Sequence, residues 1–439
     1  MIGTLFFLAS ALSATASATA SASTSGPALA SADRRVFRYE VREGDTLTDF
    51  TARYLTGASA MVTVANASNM GPPRKLRVGE ILLVPYRAMR RASVAGNIAA
   101  FRGPVKVDNR AAAANAAIAE GARIVTSVDA SVTIRFPDGT IATIPSNSRI
   151  HVLRLSRYVL TNEVDREFLV EEGGSDWKVT PAKLPGDRMQ VRTPLAVSAV
   201  RGTEFRVTFR PDGGLSGSSV VKGEVGFTGG AKAAVALPKG YGAVADADAK
   251  IDKRTLLAAP SLVDGFALQE GQDLSFQAQR VEGAKSYRFI VARDAGFVDR
   301  VAELRQDNPS ASVAGLPDGS YFVRSSAIDE VNLEGFATDS SFVRRLNPLH
   351  ALVPQLVSGR TVFSWVSTSP DFKNFEFTLS RNLDLSQPLL GTSVLTKTSI
   401  SVSNLKPGMY YWKVTSKRFD GKIARVVSSG TQSLDIERW

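Results

Sequence analysis

Apolar and polar positions alternate over short runs along most of the chain, and turn residues break those runs every few positions. Between Gly96 and Ala249 the alternation is clear at Val132, Ile134 and Phe136, and again at Phe205, Val207 and Phe209. Pro137-Asp138-Gly139 and Pro211-Asp212-Gly213-Gly214 punctuate it. Period-two runs of this length with Asp-Gly and Pro-Gly turns predict short strands in a compact all-β region. Only the stretch from Val36 to Tyr86 departs from this rule. A strand with Phe37, Tyr39 and Val41 on one face leads to a turn at Gly44 and Asp45. Leu47, Phe50 and Tyr54 then recur at helical spacing, with Thr46 as N-cap, Asp49 three residues on and Gly57 at the exit. A second short helix is expected around Met61 to Asn66, and a last strand from Ile81 to Val84 ends at Pro85. This stretch is a β-α-α-β unit in a chain that is otherwise mainly β and multidomain. The alanine run from Ala111 to Glu120 has helix propensity inside a strand-rich region, and local preference alone leaves its state open.

From Ala259 onward the chain repeats itself. Leu316-Pro317-Asp318-Gly319-Ser320-Tyr321 is matched 89 residues later by Leu405-Lys406-Pro407-Gly408-Met409-Tyr410. Matching strands precede them at Tyr287 to Ala292 and Phe375 to Ser380, and Phe276 and Trp365 are the expected early core anchors. Units of about this length with several short strands predict two β-sandwiches.

Composition narrows the class further. A length of 439 residues with 44% apolar content supplies several small cores. There is no cysteine, hence no disulfide framework and no thiolate chemistry. The net charge of +11 would attract nucleic acid, anionic lipid or anionic wall polymer alike, and no nucleic-acid-binding motif accompanies it. Ile2 to Leu12 is apolar and Ala30-Ser31-Ala32 offers a cleavage site, so residues 1–32 are expected to be a signal peptide, although no Lys or Arg precedes Arg34. No other run approaches a transmembrane helix, and a periplasmic or secreted location is expected.

Catalytic chemistry is not visible. The two histidines are His151, expected on the exposed face of a strand, and His350, between the two repeats. Glu171 and Glu172 are adjacent and would face opposite ways on a strand. Asp246-x-Asp248-x-Lys250 lacks the Gly and Glu of a calcium loop, with Ile251 and Leu257 in their places. Gly213-Gly214 and Gly229-Gly230 open no phosphate-binding helix. A non-enzyme without cofactor or metal is therefore expected.

Three resemblances rest on these residues. Tyr39-x-Val41-x-x-Gly44-Asp45-Thr46-Leu47, then Ala65-Asn66, then Leu76-x-Val78-Gly79-x-x-Leu82-x-Val84-Pro85, resembles a LysM domain over residues 36–86, with Met61 or Val62 where that family usually has an aromatic residue. The resemblance implies binding of glycans containing N-acetylglucosamine, chiefly peptidoglycan, in a groove between two loops. Its contact residues would be Gly44, Asp45, Thr46, Leu47, Asn69, Leu76, Arg77 and Val78. A basic linker, 87–95, would follow.

Val191-Arg192-Thr193-Pro194 with Arg201-Gly202-Thr203-Glu204-Phe205 is similar to the central motif of FecR domains, here over residues 96–255. That family includes periplasmic sensors that relay to a sigma factor through a membrane span and a cytoplasmic segment. Here the region is expected instead to follow a leader and a LysM-like module, and to contact an envelope protein or polymer. Read from residues alone, Gly202 permits a bulge or close backbone approach, and Arg201 would pair with Glu204. The Gly-x-Tyr-aromatic repeat resembles fibronectin type III-like domains at 259–347 and 348–439. The combined expectation is an exported protein held to peptidoglycan by its LysM-like module, presenting the other domains to a partner; the alternative is an envelope signalling component.

Overall fold

The computed structural model describes residues 35–71, 75–230, 233–392, 394–420 and 423–436. The expected signal peptide lies outside the described residues. The architecture is mainly β and multidomain, and the described chain divides into two units, 35–91 with Tyr158–Asn162, and the rest.

In the first unit, strands Val36–Glu40 and Ile81–Pro85 pair antiparallel, with Tyr39 opposite Leu82. Helix α1 (Leu47–Tyr54) starts where expected: the Thr46 hydroxyl accepts the Asp49 N–H at 3.1 Å and donates to its carboxylate at 2.8 Å. A cap of this kind stabilises a helix by about 1 kcal/mol. Gly57 does not end α1, which closes at Leu55; it is instead the N-cap of helix α2 (Ala58–Ala67). The Phe50 ring lies 4.9 Å from Tyr39 and 5.2 Å from Tyr54, so three aromatics at strand and helix spacing close one core with Leu82 and Val84. Tyr158 joins that core edge-on to Tyr86 at 5.0 Å, a contribution from a distant part of the chain that local pattern does not reveal. The residues expected as a linker are packed at their start, where Ala88 and Met89 are buried.

In the second unit, strands from Arg91–Ser93 to Ile251–Thr255 form a network that closes on itself. Its organising element is the 15-residue strand Val164–Lys178. The first half pairs with Ser148–Tyr158 and, in parallel, with Arg188–Arg192; the second half pairs with Ile141–Ile144 and Glu204–Arg210. The strand changes partners at Gly173, where φ is +82° and a Cβ would stand 2.3 Å from the Asn147 carbonyl oxygen. Only glycine fits there. Phe168, Trp177 and Phe205 line the interior, with Phe168 and Trp177 rings 4.7 Å apart. The alanine run is not helical: Arg110–Ala111 and Ala117–Ile118 are strands, and Ile98 exchanges backbone hydrogen bonds with Asn115 and Ala116. Burial of Ile118 against the core overrides the local preference.

The C-terminal repeat forms two sandwiches. The first packs a five-stranded sheet on the pair Leu274–Gln277 and Ser310–Val313; the second packs strands around Arg360–Ser367 against strands around Gly408–Asp420. The 89-residue offset is visible as one shared device. Tyr321 Oη donates to the Pro317 carbonyl at 3.0 Å, and Tyr410 Oη to the Lys406 carbonyl at 2.7 Å. Each is a tyrosine corner, which ties a buried ring to the backbone just upstream. Phe276 and Trp365 are both buried in their cores, as the repeat requires.

Candidate functional site

Two places gather polar side chains in a defined geometry. The first is the end of the small sheet. The Val41 N–H donates to the Glu80 carbonyl and the Gly79 N–H to the Val41 carbonyl, both at 2.8 Å. These bonds bring the 42–46 turn and the 76–80 turn out side by side. Of the candidate residues, the structure therefore brings Gly44, Asp45, Thr46 and Leu47 beside Leu76, Arg77 and Val78. Asn69 is placed apart from this pairing, with φ +53° just after α2, next to Ser68, whose hydroxyl accepts the Leu83 N–H at 2.9 Å.

The side chains divide by what they already do. Asp45 accepts from the Tyr39 hydroxyl at 2.7 Å and from the Arg42 N–H at 2.8 Å. Those hydrogen bonds hold its carboxyl below the ordinary range. Thr46 is committed to the helix cap. Leu47 is only half-buried, whereas Leu82 is fully buried; the first residue of a short helix turns toward the open end of the sheet. Val78 is 70% exposed, and Arg77 and Asn69 are exposed. The exposed surface at this end is thus Arg77, Val78 and the half-buried Leu47 and Leu76, while the N–H groups of Arg42, Asp45, Arg77, Gly79 and Glu80 are already hydrogen-bonded.

Tyr39 carries a testable signature. Burial, then the bond and charge of Asp45, push its phenol up to about 12 from an ordinary value of 10.0. A folded-state pKa raised in this way contributes stability that is complete below pH ~10 and is lost as pH rises toward 12. Asp45 sets the other limit, since its lowered pKa contributes stability that is lost as pH falls through the carboxylate range. Ultraviolet difference titration should show one tyrosine ionising last, and Asp45→Asn should bring that ionisation back toward ordinary values.

The second place lies within the larger unit, where the first sandwich meets the strand network. Asp176 comes from the network; Arg288, Arg300, Glu303 and Glu334 come from the sandwich. Arg288 lies 3.1 Å from Asp176, 2.7 Å from Glu303 and 2.8 Å from Glu334, and Arg300 lies 3.0 Å from Asp176. Arg206 of the network reaches Glu334 at 3.4 Å and donates to the Gly335 carbonyl at 2.9 Å. Burial alone would raise Asp176, but Arg288, Arg300 and Arg206 outweigh it and hold the carboxyl far below its usual range. Beside these ions Leu333 is buried against Val244 and Leu256. Sequence pattern missed the cluster because its six members are spread over five strands, with only Arg300 and Glu303 sharing one.

The Arg201-Gly202-Thr203-Glu204 element is structural in this setting. Gly202 has φ +80°, and a Cβ there would meet Pro181 Cα at 2.8 Å. Thr203 is buried and its hydroxyl donates to the Glu224 carbonyl at 2.9 Å. Glu204 faces Lys178 at 3.5 Å, not the expected Arg201, because the two stand directly opposite each other in the antiparallel ladder. Residues 122–226 match the FecR protein family. The FecR match covers the strand that changes sheets at Gly173 and the close approach of Gly202 to Pro181, so both lie inside the matched region.

No curated protein matches the chain by sequence. Among solved structures, a candidate anti-sigma factor from Parabacteroides distasonis is similar at 19% identity and a TM-score of 0.26, over 30% of this chain and 59% of its own. The chain thus spans less than two thirds of that structure. A two-domain fibronectin type III segment of chicken tenascin is similar at 15% identity and a TM-score of 0.21, over 42% of this chain and 99% of its own. The fibronectin(III)-like modules of Clostridium thermocellum CbhA give 11% identity and a TM-score of 0.19, over 40% and 90%.

The other sequence candidates resolve simply. His151 is half-buried rather than exposed, with Nδ1 4.0 Å from Glu171, which also pairs with Arg123 at 3.0 Å. His350 is exposed. Asp246 spends one carboxylate oxygen on the N–H groups of Asp248 and Lys250. Among the described residues no cluster of His, Asp and Glu could hold a metal, and no helix is long and apolar enough to cross a membrane.

Proposed function

We propose that this protein is a non-catalytic component of the bacterial envelope that holds N-acetylglucosamine glycan, chiefly peptidoglycan, at the open end of its small β-α-α-β unit. The reading follows the LysM-like motif, and what carries it in the structure is the pair of turns joined through Val41, Gly79 and Glu80. Neutral sugars are held in part by small apolar surfaces, and Val78 with the half-buried Leu47 and Leu76 offers one here. Export to the periplasm or cell exterior belongs to the same reading. One such module binds weakly, and the net charge of +11 would add non-specific attraction to an anionic wall.

Co-sedimentation with purified peptidoglycan tests this. Wild-type protein should pellet with the polymer, and Val78→Asp, which alters only an exposed side chain, should reduce the bound fraction several-fold without changing the melting temperature. Asp45 and Thr46 are poorer probes, since both also hold the turn and the helix cap. Wild-type protein remaining in the supernatant, or Val78→Asp pelleting normally, would refute the proposal.

A second reading, an envelope signalling component, is favoured by the FecR match. It requires a partner that crosslinks to residues 191–207 and is lost when that segment is altered.

A further inference from the structure

The small unit is made from two separated pieces of chain, residues 35–91 and Tyr158–Asn162. Helix α1 has only eight residues, and a helix shorter than about 12 residues is marginal in water without support. Its last carbonyls also need donors from outside the helix. Arg90 supplies two: its N–H donates to the Tyr54 carbonyl at 2.7 Å and its Nε to the Leu55 carbonyl at 3.3 Å. Met89 forms a backbone bridge to Leu55, and the Thr56 N–H donates to the Ala88 carbonyl at 3.0 Å. The stretch 86–90 is therefore a clamp on the end of α1.

The clamp is held in turn by the second piece of chain. The Val159 N–H donates to the Arg90 carbonyl at 3.0 Å. The Tyr158 ring stands edge-on to Tyr86, and the Arg35 guanidinium lies 4.0 Å over Tyr86 and 5.8 Å over Tyr158. Tyr86, Ala88, Met89 and Tyr158 are all buried in one core, and Leu160 packs against it. From α1 the same core runs on to the glycan end. The Phe50 and Tyr54 rings lie 4.9 and 6.4 Å from Tyr39, whose hydroxyl donates to Asp45 in the 42–46 turn.

We propose that Tyr158 and Val159 are positioning residues for glycan binding: through the 86–90 clamp and α1 they hold the 42–46 turn in its binding geometry, and residues 35–91 are incomplete without them. The ligand in this proposal rests on the glycan reading; the support of α1 does not.

Tyr158→Ala in the full-length protein tests it by two readouts. Peptidoglycan pelleting should fall several-fold. Hydrogen exchange followed by mass spectrometry should show protection of residues 47–55 falling at least about tenfold, a local opening of α1. The four tryptophans, Trp177, Trp365, Trp412 and Trp439, all lie outside this unit in the sequence, so tryptophan-detected unfolding should keep its midpoint. Tyr158→Phe, which keeps a ring against Tyr86, should restore most of the binding and the protection. Unchanged protection of residues 47–55 in Tyr158→Ala would overturn the proposal, whether or not wild-type protein pellets. Normal pelleting of Tyr158→Ala beside a pelleting wild type, a tryptophan-detected midpoint that drops with it, or a Tyr158→Phe protein no better than Tyr158→Ala would overturn it equally. A wild type that stays in the supernatant, with α1 opened in Tyr158→Ala, would sink the glycan reading and uphold the support of α1.

Discussion

Replacing Arg288 by Met should destabilise the larger unit by about 3–5 kcal/mol, the cost of leaving a buried charge without its partner. Arg288 is the hub of the cluster, and its loss leaves three carboxylates, each 20% exposed or less, to share Arg300 and Arg206. Asp176→Leu combined with Arg288→Met should recover part of that loss, because apolar replacement of a buried ion pair is often near neutral. Denaturant unfolding followed by fluorescence reads this through Trp177, adjacent to Asp176. A change under 1 kcal/mol for Arg288→Met would mean that the cluster is hydrated and weak. The sign with pH follows from Asp176. Its carboxyl is held far below the ordinary range, so its contribution is complete above that range and is lost only as pH falls through the lowered value. The gap between wild type and Arg288→Met should therefore stay constant through neutral pH and close only in strong acid.

Gly173→Ala should cost about 2–4 kcal/mol, combining left-handed backbone strain with overpacking. The added Cβ meets the Asn147 carbonyl at 2.3 Å and Ser148 Oγ at 2.4 Å, and backbone cannot yield there without shifting the Ser148–Tyr158 strand. Gly213→Ala is the matched control, because nothing lies within 4 Å of a Cβ at that position. Equal melting temperatures for the two variants would show that the strand can change sheets without a glycine.

The first sandwich is not a detached spacer. Leu333 is buried among network residues, Thr133 donates to the Val298 carbonyl at 3.0 Å, and Arg254 pairs with Glu330 at 2.8 Å. The FecR-like network and this sandwich should accordingly unfold together, and a partner must approach by faces that the sandwich leaves open.

Much of the fold was legible because its signals are local. Alternation at Val132, Ile134 and Phe136 is strand pattern and becomes one, and the Thr46–Asp49 spacing is a helix cap and caps α1. The 89-residue repeat predicted two sandwiches, and the matched tyrosines Tyr321 and Tyr410 make the same corner in each. One segment left open was decided by a distant contact, and one cap was placed on the wrong helix. The alanine run is extended because Ile118 is drawn into the core, and Gly57 begins a helix rather than ending one. Of the candidate glycan contacts, seven converge at the open end of the small sheet, whereas Asn69 follows α2 and stands apart.

From the chain alone come the β-rich class, the β-α-α-β unit, the repeated sandwiches and the FecR-like motif, since periodicity, turn residues and caps act over a few positions. Tertiary structure alone decided which turns stand together, which side chains there are already spent, and that scattered single charges, Asp176, Arg206, Arg288, Arg300, Glu303 and Glu334, meet in one buried cluster. Charges so far apart in sequence leave no periodic trace. Only the folded strands set their distances, and at those distances low dielectric turns ordinary surface residue types into the joint between two domains.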